Sequence, residues 1–468
     1  MKKIISSVEV LSQDEIIMIH NAALNTLDSV GISVPNNEAL RRLKACGAKI
    51  DENSQVARIP KQVMEEFTDM MRKSAEEPFT GQCERLHGHI STQIFVNDYK
   101  TGTRRLGTSD DILKGIALVK HLRNIPNCNA VAIPSDVPSV ISDLHAFYLT
   151  YMYSAKEGGT YIINPEAAPY IMDMADAMGR KVGYLLETVS PLQFRKEALD
   201  MALMFADRGQ FIAPGPMVMG GSTGPMTLAG TLTLITAEIL ASLFSIWAIT
   251  GQAGFFFGHG SHYTDPKTML CSFGAPNQAL IGIGAAQIGR FYGLKSCSNS
   301  ALSDALQPDF QCGFEKIFSA LFAMLAGTSG IGSQGIVGAD QGFSFEQLVI
   351  DNEWLDAYNF VMAGAEVTAE TIAEELIREV GIGGNFLAQE HTIEHLKDNW
   401  WPSRLFDRES FDGYVDGGRV SLFEKAAALV EEYTEGYKDM PVVLSAAKAE
   451  DLERIYRDAS RKILSVDM

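Results

Sequence analysis

Positive charge is what this sequence most lacks: 39 lysines and arginines stand against 58 aspartates and glutamates, a formal net charge of −19. A nucleic acid or an anionic membrane needs a basic surface to release counterions or meet headgroups, so neither is an expected partner. Cysteine is sparse too. Its six copies, Cys46, Cys83, Cys128, Cys271, Cys297 and Cys312, include no CxxC pair, which fits free thiols in a reducing compartment. There is no GxGxxG after a first strand, no GxxxxGKS or GxxxxGKT, no GxSxG and no HExxH, so no dinucleotide fold, P-loop, serine elbow or zincin is signalled. The N-terminal apolar run is too short and interrupted for a signal peptide, and a cytoplasmic protein is expected. Residues 226–250 come closest to a membrane span, yet they carry Glu238 and several threonines and serines; a buried helix packed on a sheet is the better reading.

What is there reads as a globular chain, 46% hydrophobic and 21% charged. The stretch SQDEIIMIHNAALNTLDSV has a serine cap, acids in its first turn and an apolar period of 3.6, and PNNEALRRLKACGA follows after a turn. Residues 1–74 therefore form an expected helical extension. STQIFVNDYKTGTRRLGTSDDI offers a strand-like run and a Thr-Gly turn, with a second helix entry at Ser109. Short apolar runs, each ending in polar or Gly/Pro residues and followed by a helical segment, then recur at 130–133, 160–163, 183–186, 211–213, 254–257, 294–297 and 330–335. Their spacing suits a (β/α)8 TIM barrel, a fold of about 250 residues, over 75–362, with C-terminal helices over 363–468 packed on it. An open doubly wound sheet is the alternative, without a cofactor fingerprint behind it.

In such a barrel the residues just after each strand face the ligand. These are Ser135, Asp136, Asn164, Glu187, residues 214–223, His259, His262, residues 299–304 and residues 334–345. FFFGHGSH places Phe255 and Phe257 on one side of a strand and Phe256 on the other. Those rings are either barrel filling or an aromatic wall for a cation. His259 and His262 are flanked by glycines, which argues for a loop; metal binding through them and Cys297 is a minority reading, and no metal is expected. Asp309 before FQCGFEKIF reads as an N-cap. DLHAFY begins like the DxHxxG signature of corrinoid-binding domains, but Tyr148 stands where glycine belongs, so an ordinary helix face explains it.

The motifs NDYKTGTRR, PSDVP, SPLQF, PGPMVMGGSTGPMTLAGTLTLITAEILA, GAPNQALIGIGAAQIGRFYGL, SDALQPDFQCGFEKIFSALFAMLAGTSGI, SFEQLVIDNE and GIGGNFLAQEHTIEHL occur in order along nearly the whole chain. In these the sequence resembles the trimethylamine methyltransferase family of cobalamin-dependent methyltransferases. The resemblance implies a TIM barrel that binds a methylated amine at its mouth and presents a methyl group to Co(I) on a separate corrinoid-binding protein, with no tightly bound cofactor of its own. Trimethylamine-specific members carry pyrrolysine, which this chain lacks; residues 298–309 are the region expected to correspond. Members without pyrrolysine act on quaternary amines such as glycine betaine, proline betaine and carnitine. Glycine betaine is the favoured substrate, since it asks only for a small pocket.

A quaternary nitrogen leaves as a neutral tertiary amine and needs no general acid, so recognition reduces to an aromatic wall for the cation and donors for a carboxylate. The expected wall draws on Phe255, Phe257, Tyr263, Phe343 and Phe345. The expected donors are His259, Asn164, Gln311 and the groups around Ser222 and Thr223 at a helix start. No catalytic residue is assigned. A homo-oligomer is expected. A non-catalytic quaternary-amine binding protein and a metal-dependent barrel enzyme are the rivals.

Overall fold

Ser12 opens the first helix, Gln13–Ser29, with a capping box in which its Oγ accepts from Glu15 N while the Glu15 carboxylate accepts from Ser12 N. The computed structural model describes residues 8–74, 85–252 and 256–466. Asn36 caps Asn37–Ala45, an antiparallel pair Lys49–Asp51 and Val56–Arg58 follows, and Lys61–Ser74 completes the N-terminal segment. That segment is not purely helical: Ile32–Ser33 also joins a sheet with the downstream strand Gln193–Phe194. Leu24, Leu27, Leu43 and Phe67 bury their side chains in one core with Leu240 and Phe244 of the long helix Leu228–Thr250. Phe67 meets Phe244 edge-on at 5.3 Å.

Leu228–Thr250 is the one helix among the described residues long and apolar enough to cross a membrane, and 78% of its most apolar window is buried inside the protein. Thr227 caps it, and Gly251 at φ 73° ends it in the left-handed conformation that an L side chain resists. Glu238 in its middle is fully buried.

The fold is mixed α/β, with helices around several small sheets. Of the runs expected as strands, 183–186 and 211–213 belong to Gly183–Val189 and Phe211–Gly215, parallel over five residue pairs. Run 294–297 shrinks to Ser296–Cys297, which pairs in parallel with Phe257–Gly258. Run 254–257 lies partly outside the described residues. Run 130–133 contributes a single parallel bridge from Ala132 to Gln93, and run 330–335 one from Gly330 to Cys297. Run 160–163 forms no strand, although Gly159 O next to it accepts from Ala130 N at 2.8 Å. Gln334 N donates to His89 O at 2.7 Å, and Gly260 N to Pro216 O at 2.9 Å. These contacts follow chain order, but among the described residues no backbone hydrogen bond joins 160–163 to Gly183–Val189, and the sheets do not close into a ring. The composition of the short runs is the physical reason for their shortness: glycine and serine at 158, 159, 296, 298, 300, 330 and 332 add little packing to a ladder and lose much backbone freedom in forming one.

Two expected features formed as read. Phe95–Asp98 and Thr103–Leu106 make a hairpin around Gly102, and Asp309 caps Phe310–Leu325 by accepting from Cys312 N at 3.0 Å. At the C-terminal side, Leu422–Tyr433 packs on Phe345–Ala363, and Ala446–Val466 packs on Ser142–Tyr153 and Ala168–Met178. The intervening helices Ala369–Ile372, Glu374–Val380, Glu390–Asn399 and Phe411–Asp416 bury none of their residues.

One ion pair is fully buried. Lys316 Nζ lies 2.7 Å from Asp351 Oδ2, each side chain 1% exposed, and Asp351 also accepts from Gly335 N and from Gln347 Nε2. Lys316→Met leaves that carboxylate without its counter-charge in the interior. Urea unfolding should register a loss of about 3–5 kcal/mol; a loss below about 1 kcal/mol would mean that water reaches the pair.

Candidate functional site

Glycines make the first wall of the site. A Cβ on Gly158 would fall 1.9 Å from Cys128 O, so only glycine lets the 157–161 segment lie against the one before it, where Cys128 N donates to Glu157 O at 2.7 Å. Beyond this close approach, Tyr161 Oη shares a 3.2 Å hydrogen bond with Ser91 Oγ. Asp143, at the start of Ser142–Tyr153, accepts from Ile163 N and Asn164 N at 2.9 Å each and fixes the end of the segment.

The facing wall is Gly183–Val189. Leu186 is fully buried in the helix-side core, so by strand alternation Glu187 points the other way, at the strand's C-terminal end. The strand leads through the cis Ser190–Pro191 bond into a turn with Leu192 at φ 57°. Glu238 on the long helix holds that turn: its carboxylate accepts from Thr188 Oγ1 at 2.6 Å, Ser190 Oγ at 2.8 Å and Leu192 N at 2.9 Å. Arg195, which precedes the helix Lys196–Asp207, is set by the same turn.

Between the two walls lies a cavity of about 990 Å³, lined among others by Ser91, Tyr161, Tyr184, Glu187 and Arg195. Arg195 Nη2 stands 3.8 Å from Glu187 Oε2. Burial pushes the Glu187 carboxyl above the usual carboxylate range, against the pull of Arg195. Burial also raises the Asp340 carboxyl, which accepts from Gln93 Nε2 at 2.8 Å. Burial is again the main reason that the Tyr161 phenol is raised, and the nearby charges of Asp340 and Glu187 raise it further. Ala339 and Asp340 both lie at positive φ, 53° and 63°, a conformation that non-glycine residues adopt at a cost. One carboxylate and a phenol thus line this space, and the Asp340 carboxylate lies near enough to act on the phenol, an arrangement that attracts a cation. Among the described residues no group of three or more His, Cys, Asp or Glu side chains is set to hold a metal ion.

Among the described residues, none of those expected to bind substrate lines this cavity. Phe255 lies outside the described residues. Phe257 is fully buried and stacks on Tyr292, with ring centres 6.3 Å apart, on the helix side. Phe343 and Phe345 pack edge-on at 5.1 Å in a core. Tyr263 is buried against Gly220. Asn164 builds a turn, its Nδ2 donating to Val140 O at 2.7 Å. Gln311 is exposed and donates to Glu315. Ser222 pairs with Thr264, and Thr223 Oγ1 accepts from Met219 N. These last two do not start the helix, as the sequence reading had it: Thr227 takes the cap, its side chain accepting from Gly230 N.

His259 is 6% exposed, its Nδ1 accepts from Ser261 N at 3.2 Å, and its Nε2 is buried without a hydrogen-bond partner. Glu187 and Asp340 fell among the residues flagged just after strands, and Asp340 rested on a broad loop range there. Tyr161 and Arg195 were missed. The signal for Tyr161 was an aromatic residue inside the apolar run 160–163; for Arg195 none existed short of the fold.

The model of the family described as "Trimethylamine methyltransferase (MTTB)" matches residues 1–460. The glycine betaine methyltransferase of Desulfitobacterium hafniense (strain Y51) is 27% identical over 441 residues, covering 89% of this chain and 90% of that one. The trimethylamine methyltransferase MttB of Methanosarcina barkeri is 29% identical over 455 residues, covering 92% and 91%.

Burial lowers the His259 imidazole to about 4, with the neighbouring His262 pushing the same way. An imidazole whose folded pKa lies below its unfolded value contributes stability that is fully present above about 6.5 and lost as pH falls towards the folded value, because the unfolded chain takes up the proton first. His20, His89, His145 and His262 are lowered by burial as well and add to the slope. Unfolding free energy should therefore fall steeply from pH 6.5 towards 4, and His259→Gln should remove about 3 kcal/mol of that fall. An unchanged slope in the variant would show that His259 is already protonated in the folded protein.

Proposed function

The chain belongs to the trimethylamine methyltransferase family, and on that premise we propose that it moves one methyl group from a quaternary amine, glycine betaine before others, to the corrinoid of a separate protein. It is an enzyme of the methyltransferase class. The observation that carries the substrate reading is the cavity itself: Tyr161 and Glu187 line it, Asp340 lies close enough to act on Tyr161, and Arg195 stands at the edge. A trimethylammonium group has no N–H to donate, so it is recognised by negative potential and by the faces of aromatic rings. We read the backbone hydrogen bonds that run in chain order, from Gln93 and Ala132 round to Gln334 and His89, as the staves of a (β/α)8 barrel left unzipped at this cavity.

The chemistry asks little of the protein. The C–N bond breaks with its electron pair staying on nitrogen, so dimethylglycine leaves as a neutral amine without general acid catalysis. A corrinoid carried by the partner supplies the methyl acceptor. The chain's own residues bind the cation, aim one methyl outward and exclude water. The missing pyrrolysine fits this division, since a substrate with a fixed charge needs no further activation.

Incubating the protein with a reduced cognate corrinoid protein and glycine betaine should change the corrinoid absorbance and yield dimethylglycine by mass spectrometry. Proline betaine, carnitine, choline and trimethylamine complete the panel. Turnover with trimethylamine alone would overturn the quaternary-amine reading. No turnover at all with an active corrinoid protein, but ligand-dependent thermal stabilisation, would point to a binding protein without catalysis.

A further inference from the structure

Arg195 is a guanidinium with five donors, and among the described residues it makes no hydrogen bond through them. Its carboxylate neighbour among the described residues, Glu187 Oε2, is 3.8 Å away, beyond hydrogen-bond range. Arg208, at the opposite end of the same helix, behaves differently: it bonds Asp173 at 2.7 Å and Asp176 at 2.8 Å. Glu187 likewise accepts no hydrogen bond among the described residues, although its backbone is fixed by pairing with Gly215. The backbone under Arg195 is fixed as well, by the turn that Glu238 grips and by Leu199 N donating to Arg195 O at 3.2 Å. Two opposite charges therefore stand at the open side of a cavity, near each other but unbonded, on fixed backbone, the Arg195 side chain 63% and that of Glu187 46% exposed.

We propose that this open Glu187–Arg195 pair is the specificity device of the site, exchanging partners with a zwitterion: Glu187 faces the quaternary nitrogen and Arg195 takes the carboxylate of a betaine. The inference rests on the quaternary-amine reading above and narrows it to substrates that carry both charges. The physical argument is complementarity. A molecule whose cation and carboxylate are separated by a single methylene presents its charges as close together as the protein presents its own, in reversed order. Arg195 can meet a carboxylate with two parallel N–H bonds, which a point charge cannot. Choline offers only a hydroxyl there, and a ligand without an anion leaves the guanidinium where it is. Lys181, another cation lining the cavity, cannot substitute. It precedes the strand that ends near Glu187, six residues away, roughly 20 Å along an extended chain.

The test is equilibrium binding by calorimetry to the full chain, with glycine betaine, choline and tetramethylammonium as probes and a thermal melt of each variant as the folding control. Arg195→Gln should weaken glycine betaine at least tenfold and leave choline and tetramethylammonium within twofold, with Arg195→Lys recovering part of the loss. Glu187→Gln should weaken all three probes. Equal loss of choline and betaine in Arg195→Gln, or no loss of either, would overturn the assignment while leaving the quaternary-amine reading intact. If the wild-type protein binds none of the three, the failure lies in that reading itself, and the assignment falls with it.

Discussion

A single buried carboxylate does most to organise this protein. Glu238 sits in the middle of an otherwise apolar helix, and its three acceptor contacts go to Thr188, Ser190 and Leu192. Burial pushes the carboxyl up, and those three bonds pull it back. Hydrogen bonds to a charged group are worth about 1.5–3 kcal/mol each. Their local effect is geometric: they fix the turn that carries Glu187 at one end and Arg195 at the other. The residue that stands out in the sequence as the one charge in that apolar helix is thus the residue that locates the cavity wall.

The opposite wall is built by different means. Gly158 allows two backbones to touch, Asp143 catches the end of the segment with two amide bonds, and Tyr161 is presented beyond them. The Gly183–Val189 wall has a ladder of five pairs with Phe211–Gly215, and the 160–163 wall has none. Rigidity comes as well from buried side chains that bond the backbone, as Lys156 also does by donating to the carbonyls of Val119, Leu122 and Ile125.

Local rules carried well wherever the information was local. The Ser12 capping box, the Asp309 cap and the Thr-Gly hairpin each depend on four to six neighbouring residues, and each formed as read. Position along a strand was readable too, which is why Glu187 and Asp340 were flagged. The side of a strand was not. A strand of two residues such as Phe257–Gly258 is too short for alternation to assign a face, and Phe257 turned to the helix layer, where Tyr292 receives it. The helix start was read at Ser222 and Thr223, but several residues in that loop can cap, and the cap falls to Thr227. Arg195 depends on Glu238, more than forty positions later, and no window of sequence joins them.

The last helix of the chain carries a consequence of its own. Tyr456 Oη bonds His145 Nδ1 at 2.8 Å and stacks on Tyr148 with ring centres 4.3 Å apart. Both partners sit on the helix whose first turn holds Asp143, the anchor of Ile163 and Asn164. The rim of the cavity therefore leans on a residue 311 positions further along the chain than the histidine it bonds. Loosening of that contact would reach the rim through Asp143, although Tyr456 itself does not line the cavity.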